Sequence, residues 1–482
     1  MSYVLAIDLG TTGNRVILFD ENAKVVMKNY KEFRQIYPKP GWVEHDPKEI
    51  VETVRYLLDK TFKEVSLDQI AAIGVTNQRE TIVCWNKNTG EPLHNAIVWQ
   101  DCRTQDYCSE LKQDKEIHDY IRTSTGLEID PYFSGTKIKW LMDNVVKDRE
   151  DVLFGTVDSW MIWNLAKVHV TDHTNASRTM LYNLNTNKWD ERLIEQFGVK
   201  ENMLPKIVNS SEIVGDYTAD GTTIPIAGIA GDQQAALFGQ RCFNEGEIKN
   251  TYGTGCFCLI NTGKQKIASQ SGLLTTIGIA LNEGIEYALE GSVFIGGAVV
   301  QWLRDELGVI SSADETEEIC KSVEDTNGVY FIPAFAGLGT PYWNTEVRGT
   351  VFGLTRGTNK NHLVRAGIES IAYQSKDLMD AMEKDSHEEI PYLNADGGAT
   401  NNGFLMQFQA DILNKKIVIP EVEETTALGA AFLAGIAVGY WKNKDEIKQI
   451  DIKGREFVPS MEPEKRDKTV AGWQKYVSQL LK

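Results

Sequence analysis

The chain has little of what a membrane-spanning, exported or nucleic-acid-binding protein needs. No apolar run matches the roughly 20 residues of a transmembrane helix. Residues 326–345 are long enough but are broken by Pro333, Pro341 and several glycines, and residues 427–441 are too short and read as a tightly packed internal helix. The first apolar run, Val4 to Ile7, stops at Asp8, well short of the core of an export signal. Positive charge is scarce: 50 Lys and Arg stand against 68 Asp and Glu, a net charge of −18. Such an excess repels nucleic acid and anionic lipid, so neither is an expected partner and no membrane insertion is expected. Small anions are not excluded, because a local cradle of backbone N–H groups overrides a distant average charge.

Cysteine is sparse and unpatterned. The chain has seven, an odd number, with no Cys-x-x-Cys pair; they read as reduced, mostly buried thiols of a cytoplasmic protein. Cys256 and Cys258 are two apart among apolar neighbours, which places them on one face of a strand as packing residues rather than metal ligands. The seven histidines are scattered, with no His-Glu-x-x-His and no basis for a Ser-His-Asp triad. The P-loop pattern Gly-x-x-x-x-Gly-Lys-Ser/Thr and the dinucleotide pattern Gly-x-Gly-x-x-Gly are both missing.

What is present is ordinary globular chain, 42% hydrophobic and 24% charged over 482 residues. That is enough for two large domains. Val4-Leu5-Ala6-Ile7 and Val16-Ile17-Leu18-Phe19 read as two strands around the Gly-rich turn Asp8-Leu9-Gly10-Thr11-Thr12-Gly13-Asn14, a hairpin. Residues 248–251 and 256–260 repeat the arrangement around Gly253-Thr254-Gly255, about half a chain downstream. Two related halves, each opening with a hairpin, are the expectation, with a boundary near residues 238–247. Between the hairpins, Asp46-Pro47 caps an amphipathic helix, residues 70–75 form a strand, and residues 233–238, 299–307 and 363–383 form helices. Residues 417–419 read as a further strand, and the polar last thirty residues as an outer layer. Strands alternating with helices predict α/β layers.

Five turns carry chemistry. Asp8 ends a strand before a Gly-rich turn with two hydroxyls: glycine admits a phosphate, hydroxyls and N–H groups donate to it, Arg15 adds a cation, and the acid can hold Mg²⁺ through water. A plain hairpin turn would look the same, but Gly253-Thr254-Gly255 repeats the pattern, and two such loops facing each other clamp a polyphosphate. Asn77-Gln78-Arg79-Glu80-Thr81 follows a buried strand, where a fixed guanidinium and carboxylate can read several hydroxyls. Asp232, in Gly231-Asp232-Gln233-Gln234 at a strand-to-helix junction, is either an N-cap or a base. Asp396-Gly397-Gly398-Ala399 is either a tight strand-to-helix connection or a close backbone approach to a flat base. Trp99, Tyr132 and Phe257 suit a core equally well.

Together Asp8-Leu9-Gly10-Thr11-Thr12, Asn77-Gln78-Arg79-Glu80-Thr81, Asp130-Pro131-Tyr132-Phe133-Ser134, Gly231-Asp232-Gln233-Gln234-Ala235-Ala236-Leu237, Thr251-Tyr252-Gly253-Thr254-Gly255-Cys256-Phe257 and Asp396-Gly397-Gly398 resemble the FGGY carbohydrate kinases, in their glycerol-phosphorylating branch, within the actin–Hsp70–sugar kinase superfamily. The resemblance runs over nearly the whole chain. It implies an α/β fold of two actin-like (ribonuclease H-like) domains flanking a catalytic cleft. Residues 1–237 would form the mainly glycerol-binding domain and residues 238–482 the mainly nucleotide-binding one. The implied reaction, in glycerol catabolism, is ATP-dependent phosphorylation of glycerol to sn-glycerol 3-phosphate, with Asp232 as general base. Arg79, Glu80, Tyr132 and Asp232 match contacts to the glycerol hydroxyls, Gln233 a polar position beside them, and Trp99 and Phe257 apolar walls. Thr11, Thr12, Gly13, Arg15 and Thr254 match phosphate positions and Asp8 the Mg²⁺ position. Gly297, Gln301, Gly398, Ala399 and Asn402 match the nucleotide side, with Asn401 and Asn402 both in reach of the adenine position. Family membership further implies a homo-oligomer, dimer or tetramer.

The sequence departs from the family at Gly13-Asn14, where Ser-Ser is usual. Residues 216–223 lack the Arg-bearing glycine loop for fructose bisphosphate and the phosphorylatable histidine of some bacterial members. A pentulose kinase would share the fold and both phosphate loops, and an actin-like filament or chaperone ATPase only the nucleotide turns. Asn77 to Thr81 weighs against the first, and the second would have no reason to keep a polyol-reading Arg79–Glu80 pair.

Overall fold

The computed structural model describes residues 2–344, 346–452 and 454–482. The first half is organised on a six-stranded sheet of β1 (Tyr3–Leu9), β2 (Gly13–Phe19), β3 (Val25–Glu32), β4 (Ile70–Asn77), β5 (Ser211–Ala219) and β6 (Thr222–Gly231), in the order β5-β6-β4-β1-β2-β3. β1 and β2 are buried almost end to end, which is why they read as continuous apolar runs rather than alternating ones. β3 is the exposed edge and carries the charged residues Lys28, Lys31 and Glu32.

Register places the chemistry. β1, β4 and β6 are parallel neighbours, with Leu9 opposite Asn77 and Asn77 opposite Gly231. Their carboxyl ends therefore lie side by side, and the residues at or just beyond them converge: Asp8, the segment Gln78-Arg79-Glu80, and Asp232.

The second half repeats the plan with β7 (Ile248–Tyr252), β8 (Cys256–Gly263), β9 (Leu274–Leu281), β10 (Gly284–Val293), β11 (Tyr392–Asp396), β12 (Lys416–Ile419) and β13 (Arg455–Phe457). Their order is β9-β10-β8-β7-β11-β12-β13. β1 pairs antiparallel with β2 and parallel with β4; β7 pairs antiparallel with β8 and parallel with β11. The two Gly-Thr turns occupy equivalent hairpins, and the expected pair of actin-like halves is the observed architecture. The hairpin β9–β10 had no counterpart in the sequence reading, nor did the small five-stranded side sheet that includes Ile82–Asn86 and Val152–Thr156.

Five helices fall close to their expected places: α1 (Pro47–Phe62), α2 (Asp232–Gly239), α3 (Ala298–Asp305), α4 (Lys360–Ser386) and α6 (Thr425–Ala437); α5 (Gly403–Leu413), α7 (Pro463–Leu480) and the helices between residues 105 and 166 were not delimited in the sequence. The Asp46 side chain accepts from the Lys48 N–H and caps α1. α6, from the second half, lies on the first half's sheet and crosses α2. A Cβ at Gly74 would stand 2.1 Å from the Ala430 carbonyl oxygen, and one at Gly429 1.8 Å from that of Ala235. Backbones in direct contact leave no room for side chains, which is the physical reason for the Gly/Ala composition of α6. One apolar cluster accordingly joins Val4, Ala6 and Ile17 to Leu428, Ala431 and Leu433. α7 is an outer layer, as expected, but Trp473 and Val477 are buried, with the Trp473 ring stacked on Tyr373. Among the described residues no helix is long and apolar enough to cross a membrane.

Candidate active site

Immediately after β4 the chain turns through Arg79 and Glu80, both buried. Glu80 adopts φ +62°, in the left-handed region rare for a residue with a Cβ. The turn sends the two side chains into one buried polar cluster. Arg79 donates from Nη1 to Glu290 Oε2 at 2.7 Å and from Nη2 to Glu290 Oε1 at 2.7 Å. It donates more loosely to Gln234 Oε1 at 3.1 Å and to the Tyr132 hydroxyl at 3.4 Å. Its Nε stands 3.2 Å from Asp232 Oδ1 and 3.8 Å from Glu80 Oε1. Glu80 is held on its other side by Arg178, whose Nε donates to it at 2.6 Å. Arg79, Glu80, Tyr132 and Asp232, from three distant stretches of sequence, thus meet in one place.

The aromatic residues flank this cluster. Trp99 meets Tyr132 edge-to-face at 5.6 Å and Phe257 at 6.5 Å. The Trp99 Nε1–H donates to Thr11 Oγ1 at 3.0 Å, tying the apolar wall to the first glycine turn. All three rings are only partly buried, as walls of a cleft are.

Asp232 is the first residue of α2. Gly231 occupies the N-cap, and no side chain caps the helix. The N-cap alternative for Asp232 therefore does not hold: Oδ1 accepts from the adjacent Gln233 N–H, and the side chain remains 32% exposed. Burial pushes its carboxyl above the usual range, while Arg79 and Lys249 pull it back. Gln233 lies alongside with its Oε1 accepting from Lys249 Nζ. That lysine is wholly buried on β7, and burial lowers its ammonium below the usual range.

Asp8 stands opposite Arg15 in the β1–β2 register, and Arg15 Nη1 donates to its Oδ2 at 3.0 Å. Burial raises the Asp8 carboxyl to about 6, Arg15 opposes this, and the nearby Glu424 and Asp232 carboxylates add to it. Mg²⁺ characteristically takes one or two carboxylates plus phosphates and water. A buried acid crowded by like charges fits that ion, and among the described residues no cluster of three His, Cys, Asp or Glu ligands competes for it. Gly13 is required by packing: a Cβ there would lie 2.7 Å from both the Lys31 carbonyl oxygen and the Tyr30 ring. Asn14 is buried and donates to the Ile50 carbonyl. Gly13 and Asn14 thus both serve the packing of the sheet.

On the opposite wall, the Gly253 and Thr254 carbonyls accept from the Gly297 and Gly296 N–H groups at 2.8 Å each, binding the second glycine turn to the start of α3. Gly398, Ala399, Asn401 and Asn402 line a cavity of about 240 Å³ with Val300, Ala313 and Thr316. Asn402 is already engaged: its Oδ1 caps α5 at the Leu405 N–H, and its Nδ2 donates to Thr316. Asn401 is exposed and also lines a neighbouring cavity of about 480 Å³ shared with Arg15 and Asp396. Gln301 is exposed on α3 and outside the lining of both cavities.

Sequence reasoning missed Glu290, Arg178 and Lys249. Each had a signal: a lone charge within an otherwise apolar or uncharged run, Tyr287-Ala288-Leu289-Glu290-Gly291, Asn175-Ala176-Ser177-Arg178-Thr179 and Ile248-Lys249-Asn250. A buried charge demands a partner, and these three residues are buried.

Comparison with known proteins identifies the family. Residues 3–239 match the N-terminal domain, and residues 248–438 the C-terminal domain, of the FGGY family of carbohydrate kinases. A glycerol kinase of Clostridium perfringens is 55% identical, covering 98% of this chain and 97% of its own. One from Fusobacterium nucleatum is 55% identical over 100% of this chain and 99% of its own. The crystal structure of Plasmodium falciparum glycerol kinase with ADP superposes with a TM-score of 0.94 at 38% identity, covering 100% of this chain and 99% of that one. A ligand-bound xylulose kinase of Lactobacillus acidophilus has the same fold at a TM-score of 0.90 but only 25% identity, over 99% and 97% of the two chains. The chain belongs to the FGGY family of carbohydrate kinases, in its glycerol kinase branch.

Proposed function

We propose that this chain transfers the γ-phosphoryl group of ATP to a terminal hydroxyl of glycerol. The observation that carries this reading is the convergence of Arg79, Glu80, Tyr132 and Asp232 beside Asp8 at the carboxyl ends of parallel strands. A donor-rich guanidinium, an acceptor carboxylate and a phenol side by side suit a triol, whose hydroxyls each need both a donor and an acceptor. The 3.2 and 3.4 Å contacts of Arg79 to Asp232 and Tyr132 are the replaceable ones, and hydroxyls take their place. Trp99 and Phe257 cover the carbon backbone.

Asp232 Oδ accepts the proton of the attacking hydroxyl. The hydroxyl oxygen bonds to the γ-phosphorus, the bond from that phosphorus to the β–γ bridging oxygen breaks, and ADP leaves. Arg15, Thr11, Thr12, the N–H groups at Gly13 and the turn at Thr254 hold the phosphates in line, since this reaction asks mainly for positioning and charge stabilisation. Asp8 would hold Mg²⁺, which when bound neutralises developing charge on the phosphate oxygens. Gly297, Gly398, Ala399 and Asn401 receive the nucleoside, with Asn402 shaping the cavity as the cap of α5 and Gln301 at its margin. In this reading residues 1–237 mainly bind glycerol and residues 238–482 mainly bind nucleotide. The protein works in the cytoplasm as a homo-oligomer, with each site complete in one chain.

The test is ADP release with and without glycerol, beside a pentulose panel. Release that depends on glycerol supports the reading. Equal release without it, or a pentulose preferred, removes it.

A further inference from the structure

Glu290 lies on β10, in the second half of the chain, yet its carboxylate is wholly buried in the acceptor cluster of the first. Both its oxygens are used. Oε2 accepts from Arg79 Nη1 at 2.7 Å, and Oε1 accepts from Arg79 Nη2 at 2.7 Å and from Arg178 Nη2 at 3.3 Å. Arg178 in turn grips Glu80 at 2.6 Å. One carboxylate is therefore the hub through which both acceptor-reading side chains are held, Arg79 directly and Glu80 by way of Arg178. The four charges balance, two Arg against two Glu, with no solvent to screen them.

The lengths of the contacts assign the roles. Arg79 makes its two short, parallel bonds to Glu290, the geometry in which a guanidinium is held most firmly. Its longer contacts face Asp232 and Tyr132. An arginine anchored on one edge presents its other edge in a fixed orientation. Without the anchor, the nearest strong acceptor for Arg79 is Asp232, and a guanidinium closed onto that carboxylate would cover the groups that glycerol needs. The two guanidiniums hold the Glu290 carboxyl down at about 2 against the upward push of its burial, so the anchor stays charged.

We infer that Glu290, together with Arg178, is a positioning residue that fixes Arg79 and Glu80 for the polyol and so sets glycerol affinity, without touching the substrate itself. This rests on the proposed glycerol kinase activity. It also makes glycerol recognition depend on the β9–β10 hairpin of the half that otherwise serves the nucleotide.

Glu290→Gln keeps the side-chain volume and one acceptor but turns an N–H donor toward Arg79. The expected result is a KM for glycerol raised about 10- to 100-fold, with the KM for Mg·ATP within about twofold of wild type. Glu290→Asp, which keeps the charge but is one methylene short, should fall between wild type and Glu290→Gln. A folded Glu290→Gln with a wild-type KM for glycerol overturns the inference. So does a parallel rise of both KM values with a lowered melting temperature, which describes loosened structure. Should Glu290→Gln not fold, Arg178→Lys decides, since it keeps the charge and loses the bridge to Glu80: a selective rise in the KM for glycerol supports the role and an unchanged one ends it. Glycerol-dependent ADP release by the wild type judges the activity separately, so failure of that reading is distinguishable from failure of this one.

Discussion

At the acceptor end of the cleft, Arg79, Glu80, Arg178 and Glu290 are buried and bonded to one another, and what faces the ligand is side-chain chemistry. At the nucleotide end, Thr12, Thr254, Asn401 and Gln301 are exposed, and the structure there is made of glycine turns whose backbones pair with each other. The difference is one of selectivity. A buried polar group left without its partner costs about 1–3 kcal/mol, so the acceptor end can reject a molecule for one missing hydroxyl. Backbone N–H groups around glycine receive any phosphate that fits.

The largest break in this comparison is expected at the residue between the two ends. Asp232→Asn keeps the shape of the side chain and removes the proton acceptor, and should lower kcat by about 10²–10⁴-fold while nucleotide binding survives. Turnover near wild type, followed by coupled ADP detection, would remove Asp232 as the base. Arg79→Ala comes next. It should raise the KM for glycerol by about 100-fold and, by leaving Glu290 short of a partner, lower stability by about 3–5 kcal/mol. Nucleotide affinity, measured by titration calorimetry on the folded variant, should change little. Equal losses of glycerol and nucleotide would mean the two ends are not separately built.

How much of this was legible depended on whether a residue's partner was local. The strands β1 and β8 were visible because a buried strand shows as an unbroken apolar run, and the hairpins because glycine and threonine mark the turn beside such a run. The Arg79–Glu80 pair stood out because it follows a buried strand. Glu290 did not, because its meaning is a partner 211 residues away in sequence, and Arg178 is 112 residues from Glu290. The composition of α6 announced close packing but not the surface, and only the fold shows that a helix of the second half lies against Gly74 of the first. The sequence did not show that Asn402 caps α5 while Asn401 is exposed, because a cap is set by the helix start that only the fold reveals.

Asp8 sits at the border between the ends and sharpens the contrast through pH. Its carboxyl is raised to about 6, chiefly by burial. Above that pH the anion predominates and can serve a cation; below it the neutral acid grows. The apparent affinity for Mg·ATP should therefore level off above about pH 6 and fall toward tenfold per pH unit below it, while glycerol affinity changes less. Asp8→Asn should bind Mg·ATP weakly at every pH, without that break. A wild-type profile flat from pH 5 to 7, read as KM for Mg·ATP in a buffer series, would separate Asp8 from the cation.

The smallest effect is expected from Gln301→Ala. Gln301 is exposed on α3 and outside the cavity lining, although its neighbour Val300 is part of the wall. If the nucleotide end recognises its ligand by backbone and cavity shape, deleting this amide should change the KM for Mg·ATP by less than about threefold and leave glycerol untouched. A loss comparable to that of Arg79→Ala would mean that an exposed side chain reads the nucleotide as firmly as a buried one reads the polyol. Burial would then not be what makes one end of the cleft selective and the other permissive.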